Sequence, residues 1–131
     1  MNNLKKNHAL HNEKVCDFLH ETGDFPDWVV TTAFYSALHF VIHKIFPCRI
    51  GSQQFNDFDS YYRTLGNTRK NKHRETISLV SRKCGREIGE LYKFLHDTSW
   101  MARYTEDQIP VQVANKCREY LAEIKVFSTT S

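Results

Sequence analysis

Turn-forming residues are scarce in this chain, with three prolines and five glycines among 131 residues. A strand-rich domain needs a turn about every ten residues, so the shortage argues against a sandwich or barrel. Apolar residues recur at spacings of three and four rather than two, and an all-α reading follows. The four cysteines, Cys16, Cys48, Cys84 and Cys117, contain no CxxC pair and no zinc-ribbon spacing. Free thiols on apolar helix stripes behave as small hydrophobes, which sets disulfide and metal roles aside. No Walker loop, GxSxG elbow, Rossmann fingerprint or HExxH occurs. The common enzyme classes therefore lose their signatures, and no cofactor is expected. The opening MNNLKKNHALHNEK lacks the apolar run of a signal peptide. Trp28 to Phe46 approaches the length of a membrane span, but Thr31, Thr32, Ser36, His39, His43 and Lys44 make it too polar to face lipid alone. These absences lead to the expectation of a cytoplasmic protein with no membrane partner.

What is present fits one domain over residues 1–131. A hydrophobic content of 40% and a charged content of 25% suit a soluble globular fold with a real core. The first helix is predicted over about Leu4 to Glu21, with Leu4, His8, His11, Val15 and Phe18 on one stripe and Gly23 ending it. The second runs from Asp27 to Phe46, opened by Pro26 or Asp27 and stopped by Pro47. It is apolar on nearly every side and so belongs at the centre of a bundle. One stripe of it, Trp28, Thr32, Tyr35, His39, Ile42 and Phe46, carries a hydroxyl, a phenol and an imidazole into that core, where each needs a partner.

Ile50 to Asn71 is the least regular region, with a short helix through Phe55, Phe58, Tyr61 and Tyr62 broken at Gly66-Asn67. A further helix spans about Lys72 to Cys84, with His73, Ile77, Val80 and Cys84 on one face and Gly85 as a left-handed cap. The next covers Arg86 to Tyr104, with Ile88, Leu91, Leu95 and Ala102 inward. Beside them runs a second stripe of Tyr92, His96, Ser99 and Arg103. Pro110 opens the last helix, which is expected to bury Val113, Cys117, Tyr120, Leu121, Ile124 and Phe127, while Ser128 to Ser131 fray. Tyr35 to His39 and Tyr92 to His96 share the short pattern Y-x-x-L-H.

Charge is uneven. Arg63 to Arg86 holds eight cations against Glu75 alone, a local charge of +7 in a chain of net +3, so the remainder carries −4. A basic patch on an acidic domain is the footprint of a phosphate-backbone binder, and a solvated loop and helix face is the plain alternative. Arg69, Lys70, Lys72, His73 and Arg74 gather at a helix N-terminus, where cations oppose the dipole; a bound phosphate would relieve that opposition. Arg82 and Lys83 extend the candidate RNA-binding set.

Tyr35 and His39, one turn apart, fit either a satisfied core network or a site between helices where an imidazole moves protons. His39 and His43 have the i, i+4 spacing of helical metal ligands, but no third ligand stands near them. Arg103 either complements the end of its own helix or reaches the His73 region, if the two helices flanking Gly85 are antiparallel neighbours. Arginine with histidine suits phosphodiester cleavage, one group stabilising charge and the other moving a proton.

Trp28-x-x-Thr31-x-x-Phe34-Tyr35-x-Ala37-Leu38-His39, His73-Arg74 and Ser99-x-x-Ala102-Arg103-Tyr104 together resemble a bacterial branch of the HEPN domains, over roughly Pro26 to Tyr104. The resemblance implies an up-and-down bundle of four or five helices that is often a homodimer. It also implies kinship with metal-independent endoribonucleases of toxin–antitoxin and defence systems, whose partners include antitoxins and nucleotidyltransferases, and with non-catalytic members that bind nucleotides or proteins. Nuclease members typically carry an arginine, about four to six residues, then a histidine, and that motif is not present in this chain. Here Arg69 and His73 have three residues between them, and Arg86 and His96 have nine.

Two functions are therefore expected. The first is RNA binding through the basic segment, with cleavage by His73, Arg103, Tyr104 and His39. The second is a non-catalytic helical interaction module anchored by Phe55, Phe58, Tyr61 and Tyr62; packing of those rings on the bundle is the alternative.

Overall fold

The computed structural model describes residues 3–65, 72–106 and 108–130. Among them are six helices: α1 (Leu4–Thr22), α2 (Pro26–Ile45), α3 (Phe58–Thr64), α4 (Lys72–Cys84), α5 (Arg86–Tyr104) and α6 (Val111–Thr129). The chain is a helical bundle, as expected, with one addition. Cys48–Ile50 (β1) and Gln53–Phe55 (β2) form a small antiparallel hairpin in which Cys48 faces Phe55 and Ile50 faces Gln53. Gly51 turns it at φ +64, a conformation that glycine adopts at little cost.

α2 is the central helix and packs against α1, α4, α5 and α6. Val30, Ala33, Phe34, Ala37, Phe40 and Val41 are fully enclosed, which accounts for its nearly continuous apolar sequence. The polar stripe of α2 does not enter this core. Trp28 is 53% exposed, and Thr32, Tyr35, His39 and Phe46 are half-buried, so only Ile42 of the stripe is buried. That stripe is the border of a cleft rather than its floor.

α1 meets α2 through its small residues. Ala9 and Cys16 are fully buried, and the Ser36 hydroxyl donates to the Ala9 carbonyl at 2.7 Å. The predicted stripe of α1 faces largely outward, with Leu4 and Phe18 exposed, because the close approach selects small side chains over large ones. Asp17 and Glu13 tie α1 to α6 through Arg118 and Lys125, each at 2.9 Å.

Gly85 alone joins α4 to α5. Its φ is +98 but its ψ is 161, outside the left-handed helical basin, so it is an extended hinge and the N-cap of α5 rather than a left-handed cap. The two helices approach closely a turn later. A Cβ on Gly89 would lie 2.9 Å from Ser81 Cα, so only glycine fits without a shift of α4 against α5. The inward face of α5 is rotated toward Tyr92, Leu95, Thr98 and Ser99, and Ile88, Leu91 and Ala102 are only half-buried. The last helix continues to Thr129 with Ser128 buried, so the expected fraying from Ser128 is not observed.

The aromatic residues after the hairpin pack inward. Phe55, Phe58 and Tyr61 are at most 6% exposed, and Tyr62 stacks on Phe58 with centroids 5.9 Å apart. They pack with Phe46 as part of the hydrophobic core and are not surface anchors. The expected break at Gly66-Asn67 lies outside the described residues.

Candidate functional site

The stripe of α5 that carries Tyr92, His96, Ser99 and Arg103 turns toward α2 and the start of α4. Arg103, seven residues beyond His96, falls on the same helix face because seven residues complete almost two turns. Its Nη1 donates to Tyr35 Oη of α2 at 3.0 Å, and its Nε donates to the Ser99 carbonyl at 3.3 Å. The guanidinium sits against two rings, 5.5 Å from the centroid of Tyr35 and 5.0 Å from that of Tyr104. Aromatic faces hold an arginine without neutralising it. No carboxylate pairs with Arg103 among the described residues, so its charge remains available to an anion.

His73 opens α4 and meets His96 across the helix pair, with ring centroids 5.0 Å apart. Phe34 of α2 lies edge-on to both, at 6.0 and 5.5 Å, and is itself fully buried. Burial lowers the His73 pKa below its usual value, and the positive charges of His96, Arg103 and Lys72 lower it further. A neutral His73 at pH 7 is a competent proton acceptor.

His96 stands in a different field. Its Nδ1 lies 2.9 Å from Asp97 Oδ1, and Lys93 holds the other carboxylate oxygen at 3.0 Å. Burial works against the Asp97 carboxylate, but the hydrogen bonds from His96 and Lys93 outweigh it and keep its pKa below the ordinary range. With Nδ1–H donated to Asp97, Nε2 is the ring atom left to exchange a proton. The His96 side chain retains 14% exposure, enough for a ligand to reach it.

His39 lies one turn beyond Tyr35 on α2 and is outside the Arg103 cluster. Its ring is 5.2 Å from that of His8, and its buried Nδ1 has no hydrogen-bond partner among the described residues. Burial, then Lys5 and His8, push its pKa down to about 4. His39 and His73 both line one cavity of about 140 Å³.

Of the residues read from the sequence as catalytic, His73, Arg103 and Tyr104 are thus gathered with Tyr35, and His39 is one turn removed. Tyr104 is 63% exposed and its ring also contacts Trp100, with centroids 5.6 Å apart. His96 was missed as a site residue; the stripe it shares with Arg103 was the available signal.

The basic residues separate. Arg69 and Lys70 lie outside the described residues. Lys72 sits over the Phe58 and Tyr62 rings at 5.5 and 5.3 Å and stands 4.0 Å from Asp59. Arg74 is exposed on the first turn of α4. Arg82 and Lys83 are at the other end, about 15 Å along the helix from His73. There Arg82 donates to Tyr61 Oη at 3.0 Å and Lys83 donates to the Arg49 carbonyl at 2.7 Å, holding α3 and the hairpin to α4.

No cluster of three or more His, Cys, Asp or Glu side chains suited to a metal ion lies among the described residues. No helix among them is long and apolar enough to cross a membrane. No protein-family model, curated protein or solved structure matches the chain.

Proposed function

We propose that this is a HEPN-like protein that cleaves RNA without a metal ion, using His73, His96 and Arg103. The carrying observation is that one unpaired guanidinium and two imidazoles in unlike electrostatic settings occupy one cleft. In the reaction, His73 takes the proton of a ribose 2′-hydroxyl, whose oxygen forms a bond to the adjacent phosphorus. The bond from phosphorus to the 5′-oxygen breaks, and His96 delivers a proton from Nε2 to that oxygen. The products are a 2′,3′-cyclic phosphate and a 5′-hydroxyl, and no oxidant or further reactant is required. Arg103 stabilises the charge that develops on the phosphoryl oxygens, supported from below by Tyr35. The nuclease pattern of the resembled family sets arginine before histidine; His96 and Arg103 supply the same pair in the reverse order on one face of α5.

The test is cleavage of a labelled structured RNA in EDTA by wild type and by His73→Ala. The expected result is metal-independent cleavage ending in a cyclic phosphate, reduced by about a hundredfold or more in the variant, the usual effect of losing an acid–base group. Cleavage abolished by EDTA, or equal in the variant, overturns the assignment.

A second reading, a non-catalytic module that pairs with itself, rests on Trp100, Met101 and Tyr104. These stand 47%, 41% and 63% exposed at the end of α5. Exposed aromatic and methionine side chains of this kind are common interface anchors. Light scattering of wild type and Trp100→Glu decides it: a wild-type dimer lost in the variant supports the pairing, and a wild-type monomer at high concentration removes it.

A further inference from the structure

The cavity beside His73 does not end at its own walls. Lys5, Ile42, Asp57 and Asp59 line both it and a larger hollow of about 740 Å³ that runs on between the start of α1, the end of α2 and the end of α6. The cavity has an apolar floor of Leu38, Ile42 and Phe58, with two carboxylates at its edge. The hollow beyond adds Lys6 and Lys44. Lys5 and Lys6 form no ion pair among the described residues.

We infer that one single strand of RNA leaves the His73–His96 cleft, places a base in the cavity and lays its backbone along Lys5, Lys6 and Lys44. This inference rests on the ribonuclease reading for its starting point. The alternation of chemistry supports it. A nucleotide strand presents anionic phosphates, which lysines take, and bases whose exocyclic amines donate to carboxylates. A duplex would first have to unpair and unstack a base to place it in the cavity, a cost that a single strand avoids.

The length also agrees. Along α2 the track passes Tyr35 beneath Arg103, then His39 at the cavity, Ile42 at the junction and Phe46 in the larger hollow. That path is about 16 Å of helix, the rise of about five stacked nucleotides. None of these lysines lies in the basic run between Arg63 and Arg86; two come from the N-terminal helix, whose cations carried no signal in a linear reading.

The experiment uses the full chain and 2′-O-methyl oligonucleotides, which lack the attacking hydroxyl, at lengths of about two and about eight nucleotides. Fluorescence anisotropy over a salt series compares wild type with Lys5→Glu/Lys6→Glu. The expected result is that the longer strand binds wild type far more tightly than the shorter, and that the variant weakens the longer strand about tenfold or more. The slope of log affinity against log salt should also become shallower by more than one unit, as each lost phosphate contact removes about 0.7 in a single strand. Longer-strand binding that ignores the two lysines overturns the track, as does a longer strand that binds no better than the dinucleotide. Displacement by polyglutamate as effective as by RNA also overturns it and marks an acidic-peptide groove. Cleavage of an unmodified dinucleotide by wild type, measured alongside, reports on the ribonuclease reading separately. Lysine-dependent strand binding without that cleavage leaves the track standing and removes the enzyme; cleavage with lysine-independent binding does the reverse.

Discussion

Among the described residues two histidine pairs stand at nearly equal separation, His73 with His96 at 5.0 Å and His8 with His39 at 5.2 Å, although the first is tilted and the second edge-on. His39 and His96 even close the same short word, Y-x-x-L-H, on their respective helices. Their surroundings differ in almost every other respect. His96 has a carboxylate at 2.9 Å and an arginine two turns further along its own helix face. His39 has neither: its neighbours are Lys5 and the His8 ring, and its Nδ1 is buried without a partner. Proximity of two imidazoles therefore does not by itself distinguish the two pairs; their surroundings do. On the proposed reading, giving a proton as well as taking one calls for two rings in unlike settings, with a fixed cation beside them for the transition state.

The sharpest way to break this comparison is to delete one ring from each pair. His96→Ala is expected to lower kcat for RNA cleavage about a hundredfold or more, because acid catalysis is lost outright. His39→Ala should act mainly on KM for longer strands, leaving kcat within a few-fold. Steady-state kinetics on one RNA decides, and equal losses of kcat would mean that the two pairs are not functionally distinct.

A smaller effect comes from the α4–α5 contact that sets the spacing of one pair only. Gly89→Ala should destabilise the fold by about 1–3 kcal/mol through overpacking against Ser81. It should also displace the His73 and His96 resonances while leaving those of His8 and His39 in place. Urea denaturation and histidine NMR on the same sample measure both, and an unaffected His73–His96 pair would show that α4 tolerates the added methyl.

The smallest effect is in pH dependence. His39 titrates at about 4 in the folded chain and near 6.5 when unfolded. Between those values the unfolded state binds more protons, so this group's contribution to stability is present above pH 6.5 and is lost as pH falls toward 4. Because the ring is only half-buried, the loss is put at about 1–2 kcal/mol rather than the full equivalent of the shift. In His39→Gln that part of the acid-side decline should disappear. If denaturation at pH 7 and pH 4.5 shows the same decline in both proteins, the low His39 pKa is wrong.

Much of the fold was legible because helix ends carry strong punctuation. Gly23, Pro26, Pro47, Gly85 and Pro110 each fall at or next to an observed boundary. The hairpin was not legible, since CRI and QQF are too short to show alternation and contain no run of β-branched residues. Helix faces were misread where small residues pack closely. Ala9, Cys16, Gly89 and Ser99 are buried while Leu4 and Phe18 are not, and hydrophobic periodicity weighs size over shape. Within the site, the residue types were evident but their meeting was not. His73 and His96 come together only through the α4–α5 contact, and Lys5 reaches the cavity beside His73 from the other end of the chain.

The single-residue connection at Gly85 has a consequence for how this chain can change. His73 and His96 are separated by 22 residues, nearly all of them helical. One extra residue within α4 would turn His73 by about 100° and shift it by about 1.5 Å relative to everything beyond the insertion. With no slack at Gly85 to absorb the offset, that stretch behaves as a fixed-length ruler. Substitutions can accumulate along its outer face, whereas insertions and deletions within it would silence the cleft even where the bundle still folds.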